Sequence, residues 1–232
     1  MIEVRPSGIK FPGKALIAGF HGIGATGYYA VRYMSESLGA SRVAYIDSDL
    51  AAPISTSRGG RIVTPVELYG SGNLVFLRTE FPVQKENEGA FYRELALWAI
   101  SAGFSEAALV GGLDATLRRD DSDYRVVFTS SFEPRGVLRR SKVLEDELII
   151  VGPVATLLNT FEAAGFPAYA ILAYASSERV DPRAAANAVR VLSEIYGVSV
   201  DTEPLLSYAE KVESMSKAEI QSARPRNESI YT

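Results

Sequence analysis

Residues 14–49, KALIAGFHGIGATGYYAVRYMSESLGASRVAYIDSD, contain the pattern that decides the fold. An apolar run is followed by a turn with three glycines, a helical pattern and a second apolar run. Gly39 can end the helix because glycine tolerates a positive φ. The segment predicts a strand–turn–helix–strand unit and the start of a parallel sheet. The apolar residues of the helical pattern lie three or four apart, on one helical face: Ala30, Val31, Met34 and Leu38.

The same arrangement recurs along the chain. Gly103, Gly165 and Gly197 each follow a helical pattern and precede an apolar run. The clearest apolar stripe follows Asp181, which can cap the helix that Pro182 begins. Repeated alternation of helices and strands predicts one α/β sheet rather than several modules.

Two other regions carry strand-like patterns. Residues 61–69 and 74–81 predict a hairpin closed by a four-residue turn over 70–73. Pro65 cannot donate to a ladder, so the first of these strands is predicted to lie at a sheet edge. Residues 148–152, LIIVG, are apolar and rich in β-branched side chains, which predicts a further strand.

The chain after the last predicted helix, 204–215, is polar and lacks an apolar stripe. Nothing there offsets the entropy of ordering, so 216–232 is predicted to be a mobile tail. The tail ends in Ile230, Tyr231 and Thr232. An aromatic ring with an apolar neighbour can anchor a flexible peptide in a pocket, where a terminal carboxylate can pair with a lysine. The alternative is a terminus that frays or folds back on its own domain.

Composition excludes several classes of function. The 232 residues are 47% hydrophobic, which is enough for one domain with a substantial core. With no cysteine and a single histidine, a disulfide framework, a thiol nucleophile and a histidine-rich metal site are excluded. The net charge of −4 disfavours binding to nucleic acid. No apolar run is long enough to span a membrane, and no signal peptide is recognisable, so we expect a soluble, cytoplasmic protein without a membrane partner.

The glycine-rich turn has the spacing of a dinucleotide-binding fingerprint. Gly22, Gly24 and Gly27 satisfy G-x-G-x-x-G between a strand and a helix, and Asp47 follows 20 residues after the last glycine. Backbone amides at such a turn could hold a pyrophosphate, and Asp47 could bind a ribose. The alternative is a tight turn in which glycines allow the helix to pack closely on the sheet. A nucleotide- or dinucleotide-binding enzyme is therefore one hypothesis for the function.

The other polar residues give no clear chemistry. His21 could carry a proton, but no nucleophile is placed beside it by spacing, and we predict no catalytic residue. An acidic cluster at 114–123 could hold a divalent ion, yet it departs from the EF-hand pattern. A solvated loop balanced by Arg118 and Arg119 is the preferred interpretation, so no metal or cofactor is predicted. The carboxylates of this cluster belong to Asp114, Asp120, Asp121 and Asp123.

Four motifs together resemble a known family. GFHGIGATGYYAVRYMSESLG, LVGG, GPVATLLNTFEAAGFPAYAILAYAS and DPRAAANAVRVLSEIYGVSVD occur in an order and spacing similar to those of the proteasome assembly chaperone 2 family. The similarity covers most of residues 10–213 and is strongest to archaeal members.

The resemblance implies a single three-layer α/β/α domain, similar in layout to phosphorylases and hydrolases, over residues 1–215, followed by the flexible tail 216–232. It implies a homo-oligomeric binding scaffold without catalysis. Archaeal members that end in a hydrophobic-tyrosine-any-residue motif dock it between α-subunits of the proteasome core particle. Here the motif corresponds to Ile230, Tyr231 and Thr232. The expected function is that of a proteasome assembly chaperone or adaptor/activator.

Overall fold

The computed structural model describes residues 1–223, with side-chain environments for residues 1–215. Short 3₁₀ helices occur at Ile23–Ala25, Ala115–Leu117 and Gly136–Arg139. The longer elements, in chain order, are β1 Ile2–Arg5, β2 Ala15–Gly19, α1 Thr26–Ser37, β3 Ser41–Ser48, β4 Thr56–Arg58, β5 Arg61–Val63, β6 Val66–Ser71, β7 Leu74–Thr79, α2 Lys85–Ser101, β8 Glu106–Asp114, β9 Tyr124–Phe128, α3 Gly152–Ala163, β10 Ala168–Ala175, α4 Pro182–Tyr196 and α5 Glu203–Ala223.

Eight strands form one mixed sheet in the order β1-β3-β6-β7-β2-β8-β10-β9, and β4 and β5 form a separate hairpin. The four strands β7, β2, β8 and β10 are parallel, with Leu16 of β2 opposite Val75 and Ala107. The remaining pairs are antiparallel. The predicted unit of β2, α1 and β3 is present, but β3 lies three strand positions from β2 because β7 and β6 occupy the space between them.

Helices cover both faces of the sheet, which confirms the three-layer α/β/α fold. Side chains of α2 and α3, such as Phe91 and Phe161, pack with Leu16 on one face. Side chains of α1 and α4, such as Met34 and Leu192, pack with the other face, which α5 also contacts. Each of these side chains contributes roughly 1.5–3 kcal/mol through its burial, so the two cores hold the layers together. No helix in residues 1–223 is long and apolar enough to cross a membrane.

The helix that begins at Pro182 follows the sequence signals closely. Asp181 accepts a hydrogen bond from the Ala184 amide at 3.1 Å, which caps the first turn. Gly197 ends the helix in the left-handed region, with φ of 62°. Gly103 and Gly165 also adopt positive φ after α2 and α3, as predicted from their position.

The predicted hairpin is confirmed, but two of its details are wrong. Ser71 pairs directly with Leu74, so the turn has two residues rather than four, and Gly72 supplies its positive φ. The first strand, β6, lies inside the sheet between β3 and β7, so the predicted edge position is wrong. Pro65 is tolerated because it precedes the strand, where its carbonyl oxygen accepts a bond from the Glu80 amide at 2.8 Å.

Two other boundaries differ from the sequence prediction. Residues 148–151 pair with no strand in the described structure, so the strand predicted over 148–152 is absent, and α3 begins at Gly152. The last helix, α5, continues to Ala223 rather than ending near Met215, since KAEIQSA consists largely of residues that favour helices. Residues 224–232 lie outside the described part of the chain.

Candidate functional site

The glycine-rich turn connects the carboxyl end of β2 to α1 and is packed against the protein on several sides. A Cβ atom on Gly27 would overlap the carbonyl oxygen of Val110 in β8. A Cβ on Gly24 would lie 2.9 Å from the Cβ atoms of Ala175 and Asp181, and Gly24 has φ of 62°. Gly22 has open space around it. Two of the three glycines are therefore needed for close packing of the turn on the sheet.

The backbone donors of this turn are largely occupied within the protein. The amides of Gly22 and Tyr28 both donate to Phe20, at 2.9 and 3.1 Å, and the Ala25 amide donates to Gly22 at 2.9 Å. The Gly24 carbonyl accepts from the Asp181 amide at 2.8 Å. With the amides of Gly22, Ala25 and Tyr28 engaged, few donors of this turn are left for a pyrophosphate, which favours a packing role for the fingerprint.

Asp47 lies far from the turn. It is exposed in β3, and β6 and β7 separate that strand from β2. Three strand spacings amount to about 14 Å, whereas a dinucleotide site places the acidic residue on the strand next to the glycine turn. The structure therefore does not bring Asp47 together with Gly22, Gly24 and Gly27.

A cleft of about 740 Å³ opens between the carboxyl ends of β2 and β8. In the strand order, the chain that leaves β2 continues toward β3, in the direction of β7 and β6. The chain that leaves β8 continues in the opposite direction, toward β10 and β9. In open α/β sheets such a switch point is where ligands usually bind. We call this cavity the switch-point cleft. Its apolar lining includes Phe20, Leu113, Leu144, Leu148, Ile150 and Leu172.

Four ionisable residues line the switch-point cleft: His21, Lys85, Glu88 and Asp114. Desolvation lowers the pKa of His21, which stacks on Tyr28 with ring centroids 4.0 Å apart, although the Glu80 carboxylate opposes this shift. Desolvation raises the pKa of Glu88, against the attraction of Lys85. No serine, threonine or cysteine is among the described residues that line the cleft, so it offers binding surface without a hydroxyl or thiol nucleophile.

Charged residues beside the turn form a network that sequence reasoning missed. Arg78 Nη2 lies 2.6 Å from Glu80 Oε1 and 3.1 Å from Glu36 Oε1, while Arg58 reaches Glu80 at 3.3 Å. Burial alone would raise the pKa of Glu80, but Arg78 and Arg58 outweigh it and hold that pKa below its usual value. The network fixes the β4–β5 hairpin to α1 and β7. Its members come from three separate stretches of sequence, at Glu36, Arg58 and 78–80, so no local motif indicates the network.

The acidic residues after β8 are engaged with cations and hydroxyl groups. Asp120 Oδ2 lies 2.8 Å from Lys142 Nζ and 3.0 Å from Arg125 Nη2, and Asp123 pairs with Arg118 at 3.2 Å. The bond from Lys142 is the largest cause that lowers the pKa of Asp120, to about 2. The predicted balance by Arg118 is confirmed, whereas Asp120 pairs with Arg125 and Lys142 rather than with the predicted Arg119.

Asp114 serves the local backbone, since its Oδ1 accepts from the Thr116 amide at 2.9 Å and from the Thr116 hydroxyl at 2.8 Å. Asp121 contributes only a carbonyl oxygen, which accepts from Arg118 at 2.8 Å. Within the described residues, these carboxylates do not converge into a group that could hold a metal ion.

Helix α5 runs toward the edge of the sheet that carries the glycine-rich turn. Near its start, the Tyr33 hydroxyl donates to the Asp201 carbonyl at 2.7 Å. Further along, Arg183 at the beginning of α4 makes two bonds to the Glu213 carboxylate, at 3.0 and 3.3 Å. Residues 214–223 add about 15 Å of helix beyond that pair. The predicted docking residues Ile230, Tyr231 and Thr232 lie outside the described residues, and the chain approaches them from this edge.

Comparison with known proteins shows which family the chain belongs to. Residues 16–219 match the PAC2 family. The uncharacterized protein MJ0106 of Methanocaldococcus jannaschii is 25% identical over 227 residues, which cover 92% of this chain and 88% of that protein.

Two solved structures share the fold. Pyrococcus furiosus PbaA, described as an archaeal homolog of proteasome-assembly chaperone, superposes with a TM-score of 0.77 at 22% identity, covering 97% of this chain and all of that one. Pyrococcus furiosus PbaB, described as an archaeal proteasome activator, gives a TM-score of 0.74 at 20% identity, with 94% and 97% of the two chains covered. The fold expected from the four sequence motifs is confirmed, and because the family match spans most of its length, the chain belongs to the PAC2 family.

Proposed function

We propose that this protein is a cytoplasmic proteasome assembly chaperone or activator that docks Ile230, Tyr231 and Thr232 into pockets between α-subunits of the proteasome core particle. The observation that carries the proposal is that α5 continues the chain as a helix to Ala223, nine residues before the end of a hydrophobic-tyrosine-any-residue sequence. Family membership and the descriptions of PbaA and PbaB support a proteasome partner.

Helix α5, which we call the stalk, favours this mode of binding. Residues 203–223 are already helical, so this part of the chain need not be ordered on docking. Nine residues can extend about 30 Å, which together with the end of α5 lets the tail enter a pocket while the body stays outside. The ring of Tyr231 supplies the anchor and Ile230 the apolar neighbour. In a chain that ends at Thr232, the carboxylate pairs with a lysine of the pocket.

The residues at the carboxyl edge of the sheet fit a binding role better than a catalytic one. The glycine-rich turn uses its amides for its own packing, and Asp47 is three strands away. The distance of Asp47 from the glycine-rich turn therefore favours the scaffold over a dinucleotide-binding enzyme. A homo-oligomer would present several tails to one ring, so that weak individual contacts gain avidity.

The test is a binding assay with purified core particle, in which the hydrolysis of a fluorogenic peptide is also followed. Tyr231→Ala should abolish binding and any activation, and Thr232→Ala should have a mild effect because its side chain is not the anchor. Tyr45→Ala, at an exposed tyrosine of β3, is the matched control and should bind like the parent. Equal binding by Tyr231→Ala and the parent would show that the tail is not the docking element.

A further inference from the structure

Residues 148–151, Leu-Ile-Ile-Val, cross the mouth of the switch-point cleft with alternating burial. All four residues border the cleft, but Leu148 and Ile150 are half-buried while Ile149 and Val151 are 85% and 76% exposed. Val151 has extended backbone angles, φ −127° and ψ 165°. Alternation of this kind is the pattern of a β-strand, so the sequence prediction of a strand describes the local conformation although no ladder is formed.

The backbone of this segment is free to pair. Within residues 1–223, the amides of Ile149, Ile150 and Val151 donate no hydrogen bond, and the carbonyl oxygens of Ile149 and Ile150 accept none. The chain does pair just before it, where the Leu144 amide donates to Val126 at 2.9 Å. An extended, β-branched segment with unpaired N–H and C=O groups is a template for another strand.

We propose that residues 148–151 pair with the same residues of a second copy of this chain as two antiparallel strands. This inference rests on the homo-oligomer included in the proposed function and assigns its interface. Pairing supplies the missing backbone hydrogen bonds and removes the side chains of Ile149 and Val151 from water. Because both partners present the same segment, the contact closes on a two-fold axis rather than continuing into a filament.

Charge selects the antiparallel arrangement. When Ile150 faces Ile150, Asp146 and Glu147 of one copy lie opposite 153–154 of the other, at the start of α3. Val151 provides no side-chain cap there, so the positive end of the α3 dipole meets carboxylates. Parallel pairing in register would instead set Asp146 and Glu147 against their own copies, and like charges directly opposite destabilise a strand pair.

The interface is compatible with free tails. Residues 148–151 follow the face of the sheet that α2 and α3 cover, whereas α5 packs on the opposite face against α4. The stalks therefore leave from surfaces that the strand pair does not cover. Assembly through 148–151 and docking through the tail use separate parts of the molecule, and each can be tested without the other.

The decisive variant is Ile149→Lys combined with Val151→Lys, measured by light scattering during gel filtration of the full chain. Both side chains are exposed within one copy, so the fold should persist while the particle mass falls by half at concentrations where the parent is assembled. Loss of the two apolar contacts should weaken association at least about tenfold, which corresponds to ~1.4 kcal/mol. Leu97→Lys is the control, since Leu97 is also apolar and 53% exposed but lies in α2, whose backbone is already paired.

Hydrogen exchange provides the second measurement. In the parent assembly the amides of Ile149, Ile150 and Val151 should be protected, and in the double-lysine variant they should exchange as unstructured amides do. A variant that keeps the parent's mass, or rapid exchange of these amides in the assembly, overturns the interface. A parent that stays monomeric at high concentration overturns the interface and the homo-oligomer together. Tail docking is judged separately, by the Tyr231→Ala assay.

Discussion

Strand β10 and residues 148–151 look alike in sequence and differ in almost every structural respect. AYAILAYA forms a strand whose residues are all buried, and it pairs with β8 on one side and β9 on the other. LIIV is equally apolar, yet within residues 1–223 it has no strand neighbour, and it exposes Ile149 and Val151. The comparison teaches that an apolar run can specify an extended backbone, whereas the elements on either side decide whether the hydrogen bonds of that backbone are completed within one copy.

The largest expected effect separates the two segments directly. Ile171→Ala in β10 should lower the free energy of unfolding by about 2–5 kcal/mol, because it leaves a cavity in the core. Ile149→Ala should change it by less than ~0.5 kcal/mol in the monomer. Urea unfolding at concentrations below assembly measures both. Similar losses for the two variants would mean that 148–151 is part of the monomer core and would remove the contrast.

Two glycines of the same turn also show that neighbouring elements decide the effect of a residue. Gly27→Ala should cost roughly 1–3 kcal/mol, because its methyl group would overlap the Val110 carbonyl. Gly22→Ala should be nearly neutral, since its φ is −103° and nothing lies near the added Cβ. Thermal unfolding compares them. If Gly22→Ala were the more harmful change, the turn would have a role other than packing.

Helix caps give an intermediate effect with opposite signs in the two regions. Asp181→Ala should destabilise the protein by about 1 kcal/mol, because it removes the acceptor for the Ala184 amide. Val151→Asp should add a cap to α3 and stabilise the monomer by a similar amount, while it weakens the proposed strand pair. For Val151→Asp, the melting temperature of the monomer measured by calorimetry should rise, while the particle mass should fall. Changes in the same direction would contradict the assignment of this residue.

The smallest effect concerns the pairs that hold residue 142 to the loop before β9. Lys142 and Arg125 lower the pKa of Asp120 from 3.8 to about 2, so the stabilisation is complete above pH 4 and is lost as the pH falls toward 2. Asp120→Asn should remove this part of the acid dependence, measured by denaturant unfolding at several pH values. Asp121→Asn is the control, because only its carbonyl oxygen is engaged. An unchanged acid dependence in Asp120→Asn would show that the pair contributes nothing.

The extent of sequence prediction follows from how local each signal is. The β2–α1 turn, the Asp181 cap and the glycines after the helices are written in adjacent residues, so fold class and most elements could be predicted. The order of strands could not, because it depends on which distant segments meet, and the separation of Asp47 from the glycine turn followed from that order. The same is true of the Arg78–Glu80–Glu36 network. The edge position predicted from Pro65 was wrong because proline restricts only its own amide, and β6 begins one residue later.

The tail residues show the other limit. Ile230, Tyr231 and Thr232 are predicted from sequence and from family resemblance, and they lie outside the described residues. Their proposed role draws instead on the course of α5, which the sequence indicated only as far as Met215. The favourable helix formers after Met215 indicate the longer helix, which does not require an apolar stripe.

Helix α5 also sets the direction in which the chain leaves Ala223. Each residue in an α-helix turns the chain by about 100° and advances it by about 1.5 Å. The length of the stretch 214–223 therefore sets both how far the helix extends and the direction in which the chain leaves it. Removal of seven residues from it would shorten the stalk by about 10 Å and leave its bearing almost unchanged, whereas removal of five would swing the tail to nearly the opposite side. If a partner ring binds the first deletion variant and not the second, its binding depends on the direction of the tail as well as on the sequence of the tail.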